Sequence, residues 1–182
     1  MLMPMMKMNR ARIATPVAAV VALAVAAIFF FASSHAAGQA ASQKGTSMPA
    51  HATGPFEVKL TPQDDKLDPT LGRMTIDKQF HGDLEATSKG QMLTASTDVK
   101  GSAGYVAIER VTGTLRTASG LHTGSFSLQH TGTLKRGTPE LSVSVVPDSG
   151  TGQLADLTGK MNIIISDGKH SYDFEYTLPD AH

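Results

Sequence analysis

Gly124-Ser125-Phe126-Ser127-Leu128-Gln129-His130-Thr131-Gly132-Thr133 and Tyr172-Asp173-Phe174-Glu175-Tyr176-Thr177-Leu178 carry the pattern that decides the fold. In the first, Phe126, Leu128 and His130 alternate with Ser127 and Gln129. In the second, Tyr172, Phe174, Tyr176 and Leu178 alternate with Asp173, Glu175 and Thr177. Successive side chains of an extended chain point to opposite faces, so a period of two marks a strand with one face in a core. Phe56, Val58 and Leu60 repeat the pattern around Glu57 and Lys59.

Glycine spacing closes off the helical alternative. Between Gly72 and Gly168 the longest glycine-free run is residues 138–149, and it holds Pro139 and Pro147. An interior glycine costs a helix about 1 kcal/mol and a proline about 3 kcal/mol, so a helix of ordinary length has no place to sit. The expected strands are 55–60, 73–80, 83–97 with a bend near Gly90, 103–116, 123–134, 141–147, 160–166 and 170–178. Lys100-Gly101, Ser119-Gly120, Arg136-Gly137, Ser149-Gly150 and Asp167-Gly168 supply turns, the last a hairpin between two apolar runs. The fold class is all-β: a small antiparallel eight-stranded β-barrel or a sandwich, preceded by an N-terminal signal helix. A barrel removes exposed edges, and eight strands leave an interior that is either filled or holds one small ligand.

The chain has 182 residues, with 16 basic and 16 acidic side chains, and it lacks cysteine and tryptophan. Without cysteine there are no disulfides, zinc–thiolate sites, iron–sulfur clusters or thiol nucleophiles. The zero net charge is a sum over two unlike parts. Lys7, Arg10 and Arg12 are the only charges in residues 1–36, which leaves 13 basic and 16 acidic residues, a net of −3, in the rest. A body without basic excess, in which aromatics make up only 5% of the whole chain, is a poor nucleic-acid binder. The basic start, the apolar run from Val17 to Ala32 and the small residues Ser33 to Ala37 form the signature of a secretory signal peptide. Cleavage is expected after Ser34-His35-Ala36, with Ala40 the second choice. An uncleaved anchor is the competing reading, because the uncharged stretch of residues 13–32 is about as long as a membrane span; Thr15-Pro16 breaks its start. Either way the body is expected outside the cytoplasm, periplasmic or extracellular, with membrane contact only through residues 13–32. Residues 37–54 lack periodicity and read as a flexible linker, leaving residues 55–179 as the barrel domain.

Three segments carry a resemblance. Glu109-Arg110-Val111-Thr112-Gly113-Thr114-Leu115, the Gly124–Thr133 stretch quoted above, and Val145-Val146-Pro147-Asp148-Ser149-Gly150-Thr151-Gly152-Gln153-Leu154 occur in that order and spacing. In them the chain resembles the bacterial domain-of-unknown-function family DUF3224, over roughly residues 55–178. That family is similar in fold to the allene oxide cyclase barrel, so the resemblance implies an eight-stranded antiparallel barrel. Gly150-Thr151-Gly152, with Gly159 closing the next bend, fits the same likeness. The family carries no established activity. The signal-like N-terminus departs from relatives that begin directly at the domain.

Strand phase selects the candidate site. With Val106 and Ile108 taken as core, Arg110 falls on the inner face and Glu109 on the outer. With Phe126 and Leu128 as core, His130 points inward, and pairing of strands 103–116 and 123–134 brings Arg110 and His130 into one lumen. Arg110, His130, Phe126, Tyr172 and Tyr176 are then the ligand-binding candidates, able to hold a carboxylate or polarise a carbonyl. A bulge near Gly104 or Gly132 reverses the phase and gives instead a Glu109–His130 acid–base pair, so the catalytic candidates are His130, Arg110 and Glu109. The competing reading of each residue is structural.

Asp148-Ser149-Gly150 matches an aspartic-protease triplet by letters only and reads as a turn, since no second copy exists. His81, His122, His130 and His170 show no metal-ligand spacing, so no metal is expected, and no cofactor motif is present. The leading reading is an exported β-barrel that binds a small apolar or amphipathic ligand without turning it over. The alternatives are a cyclase- or isomerase-like enzyme and a structural or self-association module that forms a homo-oligomer.

Overall fold

The computed structural model describes residues 48–64 and 67–179. The expected signal helix, and residues 37–47 of the expected linker, lie outside them. The described chain is all strand and turn: β1 (Ala50–Gln63), β2 (Leu71–Phe80), β3 (Leu84–Ser96), β4 (Ala103–Thr117), β5 (Gly120–Lys135), β6 (Thr138–Val145), β7 (Thr151–Gly152), β8 (Thr158–Ser166) and β9 (Lys169–Thr177). All pairings are antiparallel. The strands follow one another in the order β4-β3-β2-β1-β9-β8-β6-β5, and β5 pairs back to β4, so a single sheet closes into a barrel-like ring.

The eight expected strands are present. The ninth, β7, is two residues long and pairs with Gly124 and Ser125 of β5, within a segment that reads as a turn in the sequence. At Asp167-Gly168 both residues have positive φ, 52° and 74°, the signature of the tight hairpin turn whose twist matches the flanking strands. Asp148-Ser149-Gly150 is likewise a turn: Ser149 Oγ donates to the Val146 carbonyl at 2.7 Å and accepts from Ser127 N–H at 3.0 Å.

One expectation is corrected at the strand level. β1 begins at Ala50, so residues 50–54 of the expected linker are strand; they pair with β9 from Ala50↔Tyr176 to Gly54↔Tyr172. Their small side chains hide the alternation, yet Ala52 is fully buried, and a Cβ on Gly54 would lie 1.9 Å from the His81 carbonyl oxygen. β3 is one strand through Gly90, which pairs with both Ile76 and Glu109.

Side chains filling the ring divide along its length. At one end Leu84, Leu115, Phe126, Leu154, Leu157, Phe174 and Tyr176 pack into a continuous core, with Phe126 stacked on Phe174 at 5.8 Å. Burial of each such side chain contributes about 1.5–3 kcal/mol. Tyr172 belongs to this half: its hydroxyl donates to the His81 carbonyl and accepts from Leu84 N–H, both at 2.9 Å. Burial pushes its phenol up to about 12. Replacing Tyr172 by Phe leaves the Leu84 N–H buried without its acceptor, and urea unfolding is expected to show a loss of about 1–3 kcal/mol.

Candidate functional site

The other half of the ring is only partly filled: Ile76, Met92 and Ala107 form a second, smaller buried cluster there. β4 presents Tyr105, Ala107, Glu109 and Val111 to the interior, whereas Val106 and Ile108 are each 51% exposed on the outer face. The phase that puts Arg110 inside is therefore corrected. Residues 105–108 are apolar on both faces, so local pattern does not choose between them; the slot that receives Glu109 does.

That slot is built by four neighbouring strands, each giving one polar side chain. Glu109, 1% exposed, accepts from Lys78 Nζ of β2 at 2.7 Å, from Ser88 Oγ of β3 at 2.6 Å and from His130 Nε2 of β5 at 2.8 Å. Lys78 and Ser88 are direct cross-strand partners, and both are buried. Gly90 leaves the space: a Cβ there would lie 2.6 Å from Glu109 Cβ and 2.4 Å from the Ile108 carbonyl oxygen. Lys78 Nζ also lies 5.3 Å from the Phe56 ring centroid and 5.7 Å from that of Phe80, where each ring's negative face attracts it.

Burial by itself would push the Glu109 carboxyl up. The His130 hydrogen bond, the Lys78 charge and the Lys78 hydrogen bond outweigh it and hold the group at about 2. An ionised carboxylate only accepts, so the His130 proton on this side sits on Nε2. The result is an imidazole held in one tautomer by a buried carboxylate, beside a buried ammonium.

Above this cluster lies a cavity of about 490 Å³. Lys78, His130 and Phe56 form its floor; Ile76, Met92, Ala107 and Tyr105 line its wall, and Leu60, Leu141 and Ile165 stand at its mouth. The mouth residues are 45%, 44% and 65% exposed. Gly132 permits this wall, since its register partner Tyr105 lays its ring where a Cβ would stand, 2.1 Å away.

Of the five ligand-binding candidates, only His130 reaches the cavity. Arg110 is exposed outside, donating to the Ser149 carbonyl at 2.7 Å, to Ser127 Oγ at 3.3 Å and to Ser125 Oγ. Phe126, Tyr172 and Tyr176 belong to the packed half. The Glu109–His130 pair, the alternative arrangement, is the one formed. Lys78, Ser88 and Tyr105 are the residues that pattern reading overlooks. Lys78 was visible in principle as a cation between Ile76 and Phe80 on an apolar face.

Because the folded Glu109 carboxyl titrates below its ordinary value of 4.5, the stability it contributes is present above that value and is lost as pH falls towards 2. Urea unfolding of the native chain is expected to weaken across that window, and the Glu109→Gln chain to lose part of this dependence. Lys78→Met strands the carboxylate and is expected to cost about 3–5 kcal/mol, whereas the double change Lys78→Met/Glu109→Gln recovers much of the loss.

No curated protein matches the chain. The crystal structure of a protein of unknown function from the DUF3224 family of Shewanella oneidensis MR-1 is similar, at 48% identity and a TM-score of 0.68, covering 74% of this chain and all of the other. The model of the family described as "Protein of unknown function (DUF3224)" matches residues 52–176. The chain belongs to the DUF3224 family.

Proposed function

We propose that the protein binds a small apolar or amphipathic molecule in the open half of its ring. One observation carries this reading: a cavity of about 490 Å³ whose walls are apolar and whose floor holds buried Lys78 and His130. Pockets of this size, apolar with a few convergent polar groups, suit a compact organic ligand. The small side chain of Ala107 leaves room in the cavity that a larger one would occupy.

The same proposal places the protein outside the cytoplasm. It is supported by the basic start, the apolar run and the small-residue exit of residues 1–36.

A neutral apolar dye such as N-phenylnaphthylamine is expected to bind the full chain saturably with enhanced fluorescence. Ala107→Trp, which builds an indole into the cavity, is expected to weaken the dye by about tenfold or more while the unfolding midpoint stays near that of the native chain. Absence of saturable binding, or dye affinity unaltered in Ala107→Trp, overturns the reading. Expression with and without residues 1–36, followed by fractionation, tests the location: export that persists without the segment counts against it.

A further inference from the structure

The floor of the cavity has more donors than acceptors. Lys78 carries three N–H donors, and Glu109 Oε1 is the one acceptor that takes any of them among the described residues. The Phe56 and Phe80 rings stabilise its charge but accept no full hydrogen bond. His130 spends Nε2 on Glu109, and its Nδ1 has no hydrogen-bond partner among the described residues although the residue is only 3% exposed. Phe80 and Leu128 close off the packed side. Lys78 and His130 both border the cavity, so that is where their remaining polar valence can be met. A buried polar group left unmet costs about 1–3 kcal/mol, and more when it is charged.

Resting on the ligand-binding reading above, we propose that the ligand is a carboxylate-headed amphipath of the fatty-acid class, bound head inward between Lys78 and His130. The carboxylate supplies what the floor lacks: two oxygens that only accept. Lys78 Nζ donates to one, and His130, whose Nδ1 takes up one proton from water together with the anion, donates to the other. The buried cluster then holds two cations and two carboxylates and stays neutral, which a low-dielectric site requires. A neutral alcohol offers the floor a single uncharged oxygen where the carboxylate offers two charged acceptors, whose hydrogen bonds are the stronger. The apolar chain runs along Ile76, Met92 and Ala107 towards Leu60, Leu141 and Ile165, whose exposed surface at the mouth it covers. Tyr105 of β4, Glu140 of β6 and His170 of β9 are the other titratable groups facing the cavity. The inner faces of β1 and β8 add only apolar side chains there.

Displacement of N-phenylnaphthylamine from the full chain, with dodecanoate against dodecanol, tests this. The alcohol is the more apolar of the two, so burial alone favours it. Dodecanoate is expected to displace the dye at about tenfold lower concentration than dodecanol. The double variant Lys78→Met/Glu109→Gln removes the ion pair without leaving a lone buried charge; it is expected to keep dodecanol binding and lose the preference. His130→Gln, which keeps a polar side chain there, is expected to weaken dodecanoate several-fold more than dodecanol. Equal displacement by both compounds, or a preference that survives in the double variant, overturns the head-group assignment while the lumen reading stands. If the dye itself does not bind, the lumen reading falls and takes this one with it.

Discussion

Closing one sheet on itself imposes a constraint on everything else in the molecule. Every strand must turn one face inward, and all the inward faces share one interior whose width is set by the number of staves rather than by the side chains available. In this chain the aromatic residues are few, and four of them, Phe126, Phe174, Tyr172 and Tyr176, fill the ring at one end. At the other end the inward positions include Ala107, which cannot reach across, and Gly132, whose place the Tyr105 ring takes. The cavity thus follows from closure combined with an uneven distribution of volume along the strands.

The boundary between the two halves is held by a carboxylate. Glu109 cannot be ionised and buried unless donors are waiting, and Lys78, Ser88 and His130 wait on the three strands nearest to it. This arrangement fixes the phase of β4 against a locally ambiguous sequence. Turning β4 over would place Arg110, Ile108 and Val106 inside, leave Lys78 without its counter-charge, and deprive Arg110 of the Ser125 and Ser127 hydroxyls it meets outside. Two charged residues side by side in sequence are sorted to opposite faces by the partners each finds.

The strand content was legible because alternation and glycine spacing are local signals. Phe56-Glu57-Val58 and Tyr172-Asp173-Phe174 announce their faces, and Asp167-Gly168 announces its turn. Residues 50–54 did not, since Ala, Thr and Gly give no hydropathic contrast, and their strand exists through pairing with β9 far along the chain. The site was half legible. His130 follows from its neighbours Phe126 and Leu128, but the inward turn of Glu109 depends on Lys78, 31 positions earlier, and on the room left by Gly90. No window along β4 contains that information. The same holds for Tyr172 and Tyr176, whose inward orientation was readable while their height along the ring was not.

One joint in the ring is unlike the rest. β6 and β8 share a single residue pair, Ser144↔Lys160, whereas every other junction between long strands has seven or more. From that pair the two strands run unpaired towards the mouth, and Leu141, Ile163 and Ile165 border the cavity along this stretch. Along this stretch the wall is closed with almost no ladder, like two staves of a cask that abut without a dowel. Parting the ring at that seam breaks almost none of the ladder that holds the other staves together, so there its closure rests on side chains rather than on backbone hydrogen bonds.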